Sequence, residues 1–229
     1  MAFQTSVATQ QSPGIEGGFY GVNPMFTVTN PDEGMWVAGS AGVTIGQFAW
    51  ANTANGQVSS VHPGVTTVRY GFVHRDQPAV IAALLAGTSN TVIAGQAIDI
   101  LEDGPVWARF AAGAVIGQKV YMNYADGACV AAAAATPATV TRSVTTTNTS
   151  TAISYTGGAI FPGQPVSGTG IPANAYIVSV NAAAGTAVLS AAATASGTVT
   201  GTFTTNFETA FTVRSTAGNG ELAKISVRG

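Results

Sequence analysis

The sequence predicts a mainly β protein: a β-rich core with one short helix near residues 77–86 and an inserted Ig-like β-sandwich. Three observations carry that prediction. Apolar and polar residues alternate through most of the chain, the period of a half-buried strand. The 28 Gly and 10 Pro of 229 residues cut these runs into short pieces separated by turns. A single stretch, Gly71 to Gly87 (GFVHRDQPAVIAALLAG), has helical spacing instead.

That stretch has the features of a complete helix. Asp76 is a good N-cap, because its carboxylate accepts hydrogen bonds from the free N–H groups of the first turn. Pro78 stands just inside, where a missing N–H costs little. Val80, Ile81, Leu84 and Leu85 make one apolar face, and Gly87 suits the left-handed residue that ends a helix. Its apolar face is expected to pack on a sheet.

Residues 1–24 read as an extended N-terminal arm, polar and then glycine-rich, with Phe3, Ile15, Phe19 and Tyr20 as scattered apolar anchors. A solvated tail and an arm lying along another surface fit this pattern equally. Strands are expected at 25–29, 35–38 and 43–50. In the last, Val43, Ile45 and Ala49 alternate with Thr44, Phe48 and Trp50, so both faces carry apolar groups. That is the pattern of a strand buried on both sides, or of one twisting through a bulge near Gly46. After a turn-rich loop at 52–63, a strand at 65–70 leads into the helix. Residues 91–101 read as a strand, Glu102-Asp103-Gly104 as a turn, and 106–110 as the hairpin partner. Residues 119–124 and 128–130 alternate around Ala125-Asp126-Gly127, a second hairpin signal.

The composition changes at Pro137. Between there and Thr204 the only charged residue is Arg142, and apolar residues such as Val144, Ile153, Tyr155, Ile177, Leu189 and Phe203 are spaced through Thr, Ser, Ala and Gly. Short strands with Gly and Pro turns predict a small β-sandwich over 137–204. From Asn206 the earlier style returns. The expected organisation is therefore a discontinuous core, 25–136 plus 205–229, with the sandwich inserted at a hairpin tip. The hairpin's return strand would lie at 207–214, and the ends of the insert must lie close together.

Charge narrows the function. Only 8% of residues are charged, against about 25% in an average soluble domain, and the formal net charge is −2. Nothing here steers the chain towards nucleic acid or an anionic membrane. A surface that repels its neighbours so weakly suits a crowded assembly; a neutral, Thr-coated β protein is the ordinary alternative. Cys129 is the only cysteine, so no intrachain disulfide is expected, and it reads as a small buried hydrophobe. The first residues lack the basic and apolar regions of a secretory signal, and no run reaches the ~20 apolar residues of a membrane span.

The search for chemistry finds no site, no metal set and no cofactor motif. His74-Arg75-Asp76 is a suggestive triplet, but neighbouring side chains on a strand-to-helix turn point apart, and Asp76 has a better role as the N-cap. Asp99, Glu102 and Asp103 fit a solvated hairpin, too sparse for a calcium loop. Gly168-Thr169-Gly170-Ile171-Pro172 starts like a dinucleotide loop but lacks the third glycine, and Pro172 argues against a following helix.

An ordered series of motifs resembles bacteriophage head decoration proteins, the structural cement family. It runs through Glu16-Gly17-Gly18-Phe19, Asn23-Pro24 and Val37-Ala38-Gly39 to Gly42-Val43-Thr44-Ile45-Gly46-Gln47-Phe48-Ala49-Trp50. It continues in Gly71-Phe72-Val73-His74-Arg75-Asp76-Gln77, Gly117-Gln118-Lys119-Val120-Tyr121 and Gly220-Glu221-Leu222-Ala223-Lys224-Ile225-Ser226. The insert departs from the simplest members of that family. The resemblance implies a non-enzymatic virion protein, made in the host cytoplasm. It would sit on the outer surface of the capsid and clamp neighbouring subunits of the major capsid protein, with the insert projecting outwards. A homo-oligomer on the capsid is expected, a trimer or a dimer. The contact residues expected for this role are Phe3, Ile15, Phe19, Tyr20, Trp36 and Trp50. The competing expectation is an adhesive module that binds a host surface glycan through Tyr155, Phe161 and Tyr176, which requires those rings to be exposed together. A hydrolase built on His74 is the third alternative.

Overall fold

The computed structural model describes residues 14–22, 24–31, 34–76 and 90–228. The expected helix and Phe3 lie outside the described residues. The described chain is all β, and no helix occurs in it. Asp76 is described and exposed, but the turn it was expected to cap is outside.

Twenty strands follow in order. The first nine are β1 (Phe26–Thr27), β2 (Trp36–Ala38), β3 (Val43–Thr44), β4 (Phe48–Asn52), β5 (Gln57–Ser59), β6 (Val68–Val73), β7 (Thr91–Val92), β8 (Ala97–Ile98) and β9 (Ile100–Asp103). Then come β10 (Val106–Phe110), β11 (Lys119–Asn123), β12 (Cys129–Ala132), β13 (Thr139–Thr146), β14 (Ala152–Thr156) and β15 (Val166–Ser167). The last are β16 (Ile177–Asn181), β17 (Thr186–Leu189), β18 (Gly197–Thr204), β19 (Asn206–Val213) and β20 (Glu221–Ser226).

The first sheet has the order β1-β9-β6-β4-β5-β2-β8. Its last strand, β8, is one residue from β9 in the chain, yet β9 lies beside the opposite edge. The sheet must therefore roll up to bring its two sides together across Asp99. Val28, Trp36, Ala49, Ala51, Val58, Ile98 and Ile100 share one core cluster inside this roll. The alternate residues of β4, Phe48 and Trp50, belong to a second cluster. The expectation of a strand apolar on both faces thus holds for β4. The expected strand 43–50 is interrupted at Gly46, whose φ is +86°.

The second sheet, β10-β20-β19-β11-β12, packs Val106, Phe110, Met122, Phe211 and Ile225 against Phe48, Phe72 and Leu101 of the first. Phe48 meets Phe72 and Phe211 edge-on, with ring centroids 5.3 and 5.4 Å apart. The β11–β12 hairpin forms with Met122 opposite Cys129. The other expected hairpin does not form. β10 leaves β9 and pairs with β20, from Val106↔Ile225 to Phe110↔Glu221. Alternation marks 106–110 as a strand but carries no information about its partner.

Residues 139–204 supply every strand of the third sheet, β15-β18-β13-β14-β17-β16, with its own apolar cluster around Val144, Ile153, Tyr155, Ile177, Leu189 and Phe203. Its edge strands meet: Pro165 bridges Tyr176, Val166 N–H donates to Ala175 O at 2.9 Å, and Ile177 N–H donates to Gln164 O at 3.0 Å. The module is a closed six-stranded barrel, where two stacked Ig-like sheets were expected. Both arrangements bury alternate residues, so the sequence pattern is the same; closure removes the free edges. Thr205 N–H and Oγ1–H both donate to Ala138 O, at 2.9 and 3.0 Å, so the chain enters and leaves the barrel at one point. β19 then runs beside β11.

Candidate functional site

The N-terminal segment lies along the chain's own body. Gly17 N–H donates to Trp107 O and Trp107 N–H to Gly18 O, both at 2.9 Å, and Tyr20 N–H donates to Pro105 O at 3.0 Å. β1 continues the strip beside β9, with Phe26 opposite Asp103. Residues 17–22 and 24–27 thus run antiparallel to 101–107 and lie beside the start of β10, at Val106 and Trp107, on the side away from β20. Glu16 pairs with Arg109 at 2.9 Å and fastens the start of the strip.

Among the described residues, the exposed large apolar side chains gather mainly between residues 15 and 35. Ile15, Phe19, Val22, Met25, Phe26 and Met35 are all exposed, and Val22 is as open as in a free peptide, at 102%. In the barrel, Val188 is the one large apolar residue in the same class among those described. Cations rim the strip. Lys224 Nζ lies 5.3 Å from the Tyr20 ring centre and 5.4 Å from that of Trp107, while the Arg228 guanidinium sits 4.8 Å from the Phe26 ring. Arg228 also pairs with buried Asp103 at 3.0 Å. Exposed large apolar side chains gathered in one stretch of chain, with cations beside them, are a usual mark of a protein-binding site.

Of the contact residues expected from sequence, Ile15 and Phe19 are exposed and Tyr20 is half-buried on this strip. Trp36 and Trp50 are corrected: they are 2% and 3% exposed and belong to the interior. Trp36 fills the rolled sheet and donates its Nε1–H to Val28 O at 2.7 Å. Trp50 faces the core between the sheets because β4 is buried on both sides. The sequence reading missed Val22, Met25, Phe26 and Met35, and the cations that reach the strip from β20 and the C-terminal end. The signal for the first group was present as an apolar series in a glycine-rich segment; the cations come from over a hundred residues away.

The other sequence candidates separate. Arg75 Nε donates to Glu16 O at 3.1 Å and its guanidinium to Asn90 Oδ1 at 2.6 Å, while the His74 ring packs 5.4 Å from Phe19. Burial holds the His74 pKa below the ordinary imidazole value, against the opposing pull of Asp76 and Asp99. Tyr155 is buried in the barrel core, and Phe161 packs against the cluster between the first two sheets. The exposed aromatic face expected for glycan binding is therefore not formed by Tyr155, Phe161 and Tyr176. Among the described residues no three His, Cys, Asp or Glu side chains converge as metal ligands. No described helix is long and apolar enough to cross a membrane.

The family model described as XM1 gp53 minor capsid protein matches residues 3–161, more than two thirds of the chain. The chain belongs to the XM1 gp53 minor capsid protein family. It is a bacteriophage capsid protein, a structural component associated with the virion. The match begins before the exposed strip and runs through the first core sheet and strands β10–β12 of the second into the barrel, as far as the loop after β14. The barrel's first two strands are thus part of what the XM1 gp53 family model covers. A search of curated proteins finds no match.

Proposed function

We propose that this minor capsid protein is a non-enzymatic clamp. Its apolar strip binds the outer surface of the phage head across neighbouring major capsid subunits, and the barrel, an insert in a discontinuous core, projects outwards. The observation that carries this reading is the exposed apolar series Phe19, Val22, Met25 and Phe26, with Lys224 over neighbouring Tyr20 and Arg228 over Phe26. Fully burying side chains of this kind favours association by about 1.5–3 kcal/mol each, before the costs of ordering and lost freedom are subtracted. The barrel lacks a comparable surface and has one charged residue, Arg142, so it is suited to facing solvent. A protein that binds only the assembled, expanded lattice stabilises that state by mass action.

The test is binding of the full chain to undecorated, expanded heads, read as copies per head and as the temperature of head rupture. The wild type is expected to saturate and raise the rupture temperature. A Val22→Ser, Met25→Ser, Phe26→Ser variant, altered only at exposed positions, is expected to lose binding with its fold intact. Saturation by that variant at wild-type concentrations would reject the strip as the contact. Binding without a rise in rupture temperature would reject clamping and leave attachment.

A further inference from the structure

Val115 and Ile116 stand at the surface of the core, 57% and 63% exposed. Among the described residues outside the strip, no other two large apolar residues are exposed side by side. The pair occupies the turn between β10 and β11, and residues 110–118 carry no charge. The turn is held in one shape. Gln118 N–H donates to Val115 O at 3.2 Å, and Val115 N–H donates to Gln118 Oε1 at 2.8 Å. Gly117, at a φ of +89°, supplies the left-handed residue at the turn's third position. Beside it, Ala114 and Ala217 exchange N–H···O bonds of 3.0 and 2.9 Å. Apolar side chains carried on a turn already ordered in this way lose little freedom on binding.

Strand pairing places this turn level with the strip. Phe19 bridges Val106, Val106 pairs with Ile225, Ile225 pairs with Val213, and Val213 O accepts the Gly117 N–H at 3.0 Å. Phe19 and Gly117 are therefore the two ends of one row across the second sheet, with β10, β20 and β19 between them. Steps of about 4.8 Å make the row about 19 Å long, measured along the sheet. The row crosses β19 at Val213, whereas the barrel joins that strand at its other end, before Asn206. At about 3.3 Å per residue, roughly 23 Å of strand separates the row from the barrel. A lattice that receives the strip beneath an outward-facing barrel thus also comes up to the turn. The strip by itself gives one hold, and a clamp needs a hold on each of two subunits. We propose that the Val115–Ile116 turn is the second hold of the clamp, seated on an apolar patch of the major capsid subunit adjoining the one that the strip grips.

The inference rests on the clamp reading, and its test separates the two. A Val115→Ser, Ile116→Ser variant of the full chain, altered only at exposed positions, is titrated onto undecorated, expanded heads beside the wild type and the strip variant. It is expected to bind at least about tenfold more weakly, as loss of two buried aliphatic side chains implies, and to raise the rupture temperature less at equal occupancy. Wild-type affinity together with a wild-type rupture temperature in this variant overturns the proposal. Weak binding by the turn variant with full binding by the strip variant removes the strip and keeps the turn as a contact; a wild type that does not bind heads removes both. The partner is read by putting the photo-cross-linker benzoylphenylalanine in place of Ile116, alone or together with Phe26, which also decides the question if the serine variant misfolds. Irradiation on heads is expected to join position 116 to the major capsid protein, and the doubly labelled chain is expected to join two capsid subunits in one product. A cross-link from position 116 only to another copy of this chain overturns the proposal, as does a doubly labelled chain that joins a single subunit.

Discussion

Acidification should weaken the protein through His62, which is wedged between the core and the barrel. Its ring lies 4.5 Å from Trp50 and directly beneath Gly163, where a side chain would have no room. Burial lowers its pKa from 6.5 to about 4. The sign follows from linkage. Between these two values the unfolded chain takes up a proton that the folded chain refuses, so stability is full above 6.5 and falls as the pH drops towards about 4. At about 1.4 kcal/mol per pH unit, the drop amounts to at most about 3.5 kcal/mol, and to between about 1 and 3 kcal/mol once water in the cleft beside the ring is allowed for. The assay is urea unfolding at a series of pH values for the wild type and for His62→Phe, which keeps a ring against Trp50 but cannot titrate. His74, shifted in the same direction by its own burial, adds a similar slope to both proteins, so the difference between the two curves isolates His62. The variant loses the acceptor for Gly64 N–H at every pH, which offsets its curve without changing the slope. Parallel curves for the two proteins would refute the reasoning.

Three further outcomes follow from the packing. Gly127→Ala places a methyl group on the Phe48 carbonyl oxygen at a φ of +77° and is expected to cost well over the ~1–2 kcal/mol of a left-handed residue, whereas Gly95→Ala, at +81° with open space around it, costs only that amount; thermal melts of the pair check the contrast. Phe211→Ala removes a fully buried ring from the cluster between the sheets and is expected to cost about 3–5 kcal/mol in urea unfolding, with little relief from relaxation because the neighbouring Phe48 and Phe72 rings are themselves fully buried. Cys129 is buried and its surroundings push its thiol pKa up, so a thiol reagent is expected to label it only after denaturation; prompt labelling of the native protein would contradict its position opposite Met122.

The sequence by itself determined the class of this protein and several of its local features. Period-two alternation and abundant turn residues mark a mainly β chain without reference to any partner. The two apolar faces of residues 48–51, the Asp126-Gly127 hairpin and the almost uncharged insert starting at Pro137 are likewise written in short stretches, because each depends on neighbours a few residues apart. Only the tertiary structure decided which strands meet. The same alternation serves a sandwich and a barrel, and the choice between them rests on Pro165 reaching Tyr176. A strand at 106–110 fits beside β9 or beside β20, and its real partner lies more than a hundred residues away. The candidate contact surface was half legible for the same reason. Ile15, Phe19 and Tyr20 stand out as apolar residues in a polar, glycine-rich segment. The burial of Trp36 and Trp50, and the placing of Lys224 and Arg228 over the strip, depend on how the sheet rolls, which no local pattern encodes.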